Sequence, residues 1–143
     1  MQIVRDKLWT WYLPDTERSI DRDEWLESGG KWIIFDSKSR IEELADRLKP
    51  LIDSGEIESA KSWNGDPGAI NVYSLDRDRE KNRKILESLG AGDTRVWEYD
   101  YAWCKNIKHP ASFVFSWSSK FRTILKSYGV KGTLGLVRDI LQG

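Results

Sequence analysis

The chain has 143 residues, one cysteine, and 23 basic against 23 acidic side chains, so its formal net charge is zero. That balance argues against holding long duplex nucleic acid through bulk electrostatics, which needs a basic footprint. It leaves room for a small nucleotide or a short single strand. Cys104 alone cannot form an intramolecular disulfide, no leader is visible after Met1, and no apolar run approaches the ~18 residues of a membrane span. A reducing, cytoplasmic setting without membrane contact is therefore expected.

No repeat, low-complexity stretch or linker divides the chain, so residues 1–143 read as one domain, long enough to bury a core without staples. Residues 8–13 (Leu-Trp-Thr-Trp-Tyr-Leu) are aromatic and β-favouring, stop at Pro14, and predict a strand. A short helix is expected over residues 21–28, around Trp25 and Leu26, ended by Gly29-Gly30. Residues 31–35 (Lys-Trp-Ile-Ile-Phe) follow as a buried strand. Next comes the clearest helix: Ser39 and Glu42 have the spacing of a capping box. Ile41, Leu44, Ala45, Leu48, Leu51 and Ile52 share one face. Pro50 interrupts that stripe and predicts a kink or an end near Lys49, with Gly55 closing the segment.

Residues 59–63 and 69–75 read as paired strands across the turn-rich Asn64-Gly65-Asp66-Pro67-Gly68. Asp76 or Asp78 is placed to cap a helix that runs to Leu89, turns Ile85, Leu86 and Leu89 inward, and stops at Gly90. A long strand over 94–103 and a lysine-rich turn to Pro110 come next. A strand over 112–117 follows, then helices over 119–128 and 134–141. This order predicts an α+β fold: one mainly antiparallel sheet with helices on one face and the other face open.

Two segments carry candidate chemistry. In the 94–103 strand, period-two geometry puts Arg95, Trp97, Tyr99, Tyr101 and Trp103 on one side and Val96, Glu98, Asp100 and Ala102 on the other. The aromatic side either packs under the helices or offers stacking surfaces worth about 1–3 kcal/mol per base. In the first case Glu98 and Asp100 face outward and can accept hydrogen bonds from a base edge. The second segment is Cys104-Lys105-Asn106-Ile107-Lys108-His109-Pro110. There Lys105, Lys108 and His109, with Lys120 and Arg122 nearby, form either a solvated loop or a phosphate-holding patch. His109 is the sole imidazole available for acid–base work near neutral pH. One histidine and one cysteine do not make a zinc site, and Gly90-Ala91-Gly92 lacks the rest of a phosphate-loop fingerprint, so no metal or cofactor is expected.

Gly29-Gly30-Lys31-Trp32-Ile33-Ile34-Phe35, the helix after it and the strand ending at Trp63 resemble the basophilic-leukaemia-expressed protein family. The likeness continues through Ile70-Asn71-Val72-Tyr73, Leu89-Gly90 and Val96 to Trp103, and so covers most of the chain from Trp25 to about Phe115. Prokaryotic members of that family carry the label of a phosphothreonine lyase domain. The resemblance implies the curved antiparallel sheet of the cap-binding translation initiation factors, helices on its convex side, with a nucleotide-like ligand on the concave one. Trp97-Glu98 looks like the Trp-Glu pair of those factors but follows the Gly-Gly-Lys-Trp strand instead of preceding it, so that role does not carry over. The lyase label implies a lysine base and a histidine acid, for which Lys108 or Lys31 and His109 are the matching residue types.

Three functions follow as expectations. The first is a binding module that holds a nucleotide, short single-stranded RNA or another phosphorylated ligand on the open face. Trp97, Tyr99, Trp103 or Glu98 would contact the base, and Lys105, Lys108 and Arg122 the phosphates. The second is a phosphothreonine-lyase-like enzyme that acts on a phosphopeptide through His109 and Lys108 or Lys31. The third is a protein-interaction domain with an exposed aromatic patch.

Overall fold

Alternating β-branched and aromatic residues build a six-stranded sheet, and two amphipathic helices close over one of its sides. The computed structural model describes residues 1–16, 20, 22–91 and 95–100. In chain order the elements are β1 (Gln2–Arg5), β2 (Trp9–Leu13), α1 (Arg22–Ser28), β3 (Gly29–Asp36), α2 (Lys38–Ser54), β4 (Ser59–Trp63), β5 (Gly68–Leu75), α3 (Arg79–Ser88) and β6 (Arg95–Tyr99). A 3₁₀ turn, Asp76–Asp78, leads into α3. The strands lie in the order β1-β2-β4-β5-β3-β6 with antiparallel neighbours throughout, so the fold is α+β. The expected strand over 112–117 and the helices over 119–128 and 134–141 lie outside the described residues. Among those described, no helix is long and apolar enough to cross a membrane.

Strand parity sorts the side chains. Tyr12, Trp32, Ile34, Ala60, Ile70 and Val72 point to a first face, where they meet Ile41, Leu44, Ala45, Leu48 and Ile52 of α2 and Leu86 of α3. Leu48, Ile52, Ile70, Val72 and Leu86 reach essentially zero exposure, and full burial of such a side chain contributes about 1.5–3 kcal/mol. The apolar stripes of α2 and α3 are thus buried where their spacing placed them, with Ile85 and Leu89 packed at the margin. On the second face Ile33, Phe35, Ala69 and Trp63 form a smaller cluster with Leu8 and Trp9 against it. Val96 and Leu75 are buried there too. The middle of this face is therefore buried, where an open face was expected.

Local details differ from expectation at three places. β1 was not anticipated: all four of its residues are exposed, and only pairing with β2 identifies it. Asp6 makes the connecting turn, its Oδ1 accepting the N–H groups of Leu8 and Trp9 at 2.8 and 2.7 Å. The capping box does not form. Ser37 is the N-cap of α2 without a side-chain cap bond, and the Ser39 hydroxyl lies 3.4 Å from that of Ser37 instead. Finally, α2 runs through Pro50 to Ser54, where Gly55 in the left-handed conformation (φ 87°) ends it. Proline removes one hydrogen bond, to the carbonyl of Asp46, and both residues sit on the exposed side of the helix, where water can replace it.

Candidate functional site

β6 pairs with β3 so that Trp32 lies opposite Trp97, Lys31 opposite Glu98, and Gly30 opposite Tyr99. Trp97 and Tyr99 consequently turn to the first face. Trp97 packs against the main core with its ring 5.4 Å from that of Trp32 and 5.7 Å from that of Tyr99. Arg79 lies 5.5 Å over the Trp97 ring. Gly30 is required beneath it, since a Cβ there would stand 2.5 Å from the indole and 2.8 Å from the Glu98 carbonyl oxygen. Burial raises the Tyr99 hydroxyl above its ordinary range, and Asp76 adds to that. Of the two sides of this strand, the aromatic one faces the helices, with Trp97 and Tyr99 each partly buried there. Trp103, Lys105, Lys108, His109 and Arg122 lie outside the described residues.

Glu98 and Asp100 face the second side, as expected once the aromatics are inward. Asp100 joins two elements: its Oδ1 accepts from Lys31 Nζ at 3.1 Å and its Oδ2 from the Trp25 indole N–H at 3.1 Å. Trp25 comes from α1, which sits at the sheet end and also brings that ring 6.3 Å from Tyr73. Lys31 Nζ lies 5.8 Å from the Tyr73 ring centre. The group is closed on itself, because the cation, the carboxylate and the indole N–H each have their partner. Lys31, one of the two candidate bases, is held by Asp100.

Further exposed chemistry on this face lies nearer the opposite edge of the sheet. Trp9 and Trp11, two residues apart on β2, share the second face, and the β2–β4 register sets Lys61 opposite Trp11 and Trp63 opposite Trp9. Lys61 Nζ stands 4.3 Å from the Trp9 ring centre and 4.7 Å from that of Trp11. Trp9 is braced edge-on by buried Trp63 at 5.2 Å. Trp9, Trp11 and Lys61 are each partly exposed. Desolvation, and then the charge of Lys31, hold the Lys61 ammonium below the usual lysine range. Among the described residues Lys61 has no ion pair. Asp6 at the hairpin is kept below the usual carboxylate range by the backbone N–H groups of Trp9 and Leu8, with the Trp11 indole contributing.

None of these three residues was singled out from sequence. The alternation in residues 8–13 does place Trp9 and Trp11 together, but Lys61 joins them only through the pairing of strands about fifty positions apart, which no local signal encodes. Among the described residues no group of three or more histidine, cysteine or carboxylate side chains is placed to hold a metal. The chain matches no protein-family model, and no curated protein is significantly similar to it.

Proposed function

We propose that this domain is a non-enzymatic binding module that takes a nucleotide or short single-stranded RNA on the second sheet face, at the Trp9–Lys61–Trp11 ridge. One observation carries the reading: a lysine without an ion pair among the described residues lies between two half-exposed indoles. Indole faces stack on any base at about 1–3 kcal/mol each, and a nearby cation meets the phosphate that joins stacked bases. Trp63 holds Trp9 in place from behind, so part of the ordering cost is met before a ligand arrives.

Titration with a short oligouridylate at low salt is expected to quench tryptophan fluorescence saturably. The Trp9→Ala/Trp11→Ala double variant is expected to lose the response while keeping its far-ultraviolet circular dichroism. Equal quenching in that variant would remove the ridge from the proposal, since six other tryptophans remain to report. The elimination reading draws no support from the described residues, where Lys31 is bound to Asp100.

A further inference from the structure

Between α2 and the β1–β2–β4 side of the sheet, on the first face, lies a cleft of about 520 Å³ that the ridge does not touch. Its size falls in the ordinary range of small-molecule sites, about 300–1,000 Å³. The floor is polar. Thr10, Tyr12 and Ser62 line it with 5, 7 and 7% of their surfaces exposed. Thr10 Oγ1 donates to Asn64 Oδ1 at 2.6 Å, and Asn64 Nδ2 donates to the Asp6 carbonyl at 3.1 Å, so this corner is fixed. The Tyr12 and Ser62 hydroxyls share only a long 3.4 Å contact. A hydroxyl offers one donor and two acceptor sites, so this pair keeps hydrogen-bonding capacity directed at whatever fills the space.

The charged walls are not equivalent. Lys49 is tied to Asp46 at 2.6 Å, and Asp6 is occupied by backbone N–H groups. Arg5, Lys38 and Glu42 also line the cleft, and none of them has an ion pair among the described residues. Their positions follow from the fold. Arg5 pairs in register with Thr10. Lys38 opens α2 beside the β4–β5 turn, where its backbone N–H faces Asp66 Oδ1 at 3.5 Å. Both cations therefore stand at the Asn64 end. Glu42 lies one helical turn after Lys38, and Ile41 and Trp63 supply apolar lining.

We propose that this cleft is a binding site for a small phosphate monoester bearing hydroxyl groups, the chemistry of a sugar phosphate. Its phosphate would sit between Arg5 and Lys38, and its hydroxyls would donate to Glu42 and exchange hydrogen bonds with Tyr12 and Ser62. Charge-assisted bonds hold the phosphate. This site is independent of the ridge and stands or falls separately.

The test is calorimetric titration of the purified protein with ribose 5-phosphate, inorganic phosphate and ribose, each to about 10 mM. Saturable binding of ribose 5-phosphate, tighter than either part alone, is expected. The Arg5→Ala/Lys38→Ala variant should weaken it about tenfold or more. Both side chains are exposed, so the variant should keep the parent melting temperature, and Trp9→Ala/Trp11→Ala should leave this binding intact. Three results would overturn the proposal: no heat at the highest concentration, inorganic phosphate binding as tightly as the sugar phosphate, or full affinity in the Arg5/Lys38 variant.

Discussion

Tyr73 shows how one residue couples packing to charge. It is buried on the second face beside Asp100, and desolvation first, then that carboxylate, push its hydroxyl well above the ordinary tyrosine range. An unfolded chain gives up the phenolic proton near pH 10, while the folded protein keeps it at higher pH. Over that interval the native state binds more protons than the unfolded one, so stability must fall as pH rises above about 10. Tyr73→Phe removes the titrating group. Its melting temperature is expected to drop less than the parent's between about pH 9 and pH 11, and parallel losses would mean that Tyr73 is not what opposes alkali. Lys61 shifts in the opposite sense for a related reason, since partial burial between two indoles disfavours a charge that cannot be fully solvated.

At the level of elements, α2 and β6 were read from sequence with unequal success. The helical stripe of α2 put Ile41, Leu44, Ala45, Leu48, Leu51 and Ile52 on one face, and all are buried except Leu51, which packs partly buried against the core. Its start was misjudged and it does not end near Lys49, because Ser39 with Glu42 and Pro50 are local signals that packing overrode. A helix anchored by five core side chains survives the loss of one backbone bond. Pro50→Ala restores the N–H that can donate to the Asp46 carbonyl. It is expected to stabilise the protein by about 1–3 kcal/mol in urea denaturation, the low end if water already serves that carbonyl. An unchanged midpoint would show that the proline costs nothing where it stands. For β6 the period of two was right, and the choice between its sides was decided by β3. Pairing Trp97 with Trp32 places both indoles under the helices and leaves Glu98 beside Lys31.

For the whole molecule, zero net charge sets the character of any nucleic-acid binding. A ridge with Lys61 as its single cation lacking an ion pair among the described residues contacts few phosphates. The affinity for a short single strand should then fall only gently with salt, with a log–log slope of about −0.7 for one phosphate contact. Fluorescence titrations across a series of salt concentrations measure that slope. A value near −3 or steeper would require a wider basic path than this ridge supplies. The sheet order adds a second constraint. The β4–β5 hairpin is inserted between β2 and β3, so two strands separate Trp9 and Trp11 from Lys31, and one separates Lys61 from it. The ridge's cation lacks an ion pair among the described residues, whereas Lys31 is held by Asp100.

Composition and periodicity were enough to determine the α+β class, five of the six described strands and the inward faces of α2 and α3, because each depends on residues close together in the chain. The accessible chemistry depended on which strands lie side by side. Trp9 and Lys61 are brought together by the β2–β4 pairing, and Arg5 and Lys38 line one cleft from a strand and a helix start. Side chains far apart in sequence become neighbours only when the sheet buries its apolar face against the helices, and that choice of neighbours belongs to the folded chain as a whole.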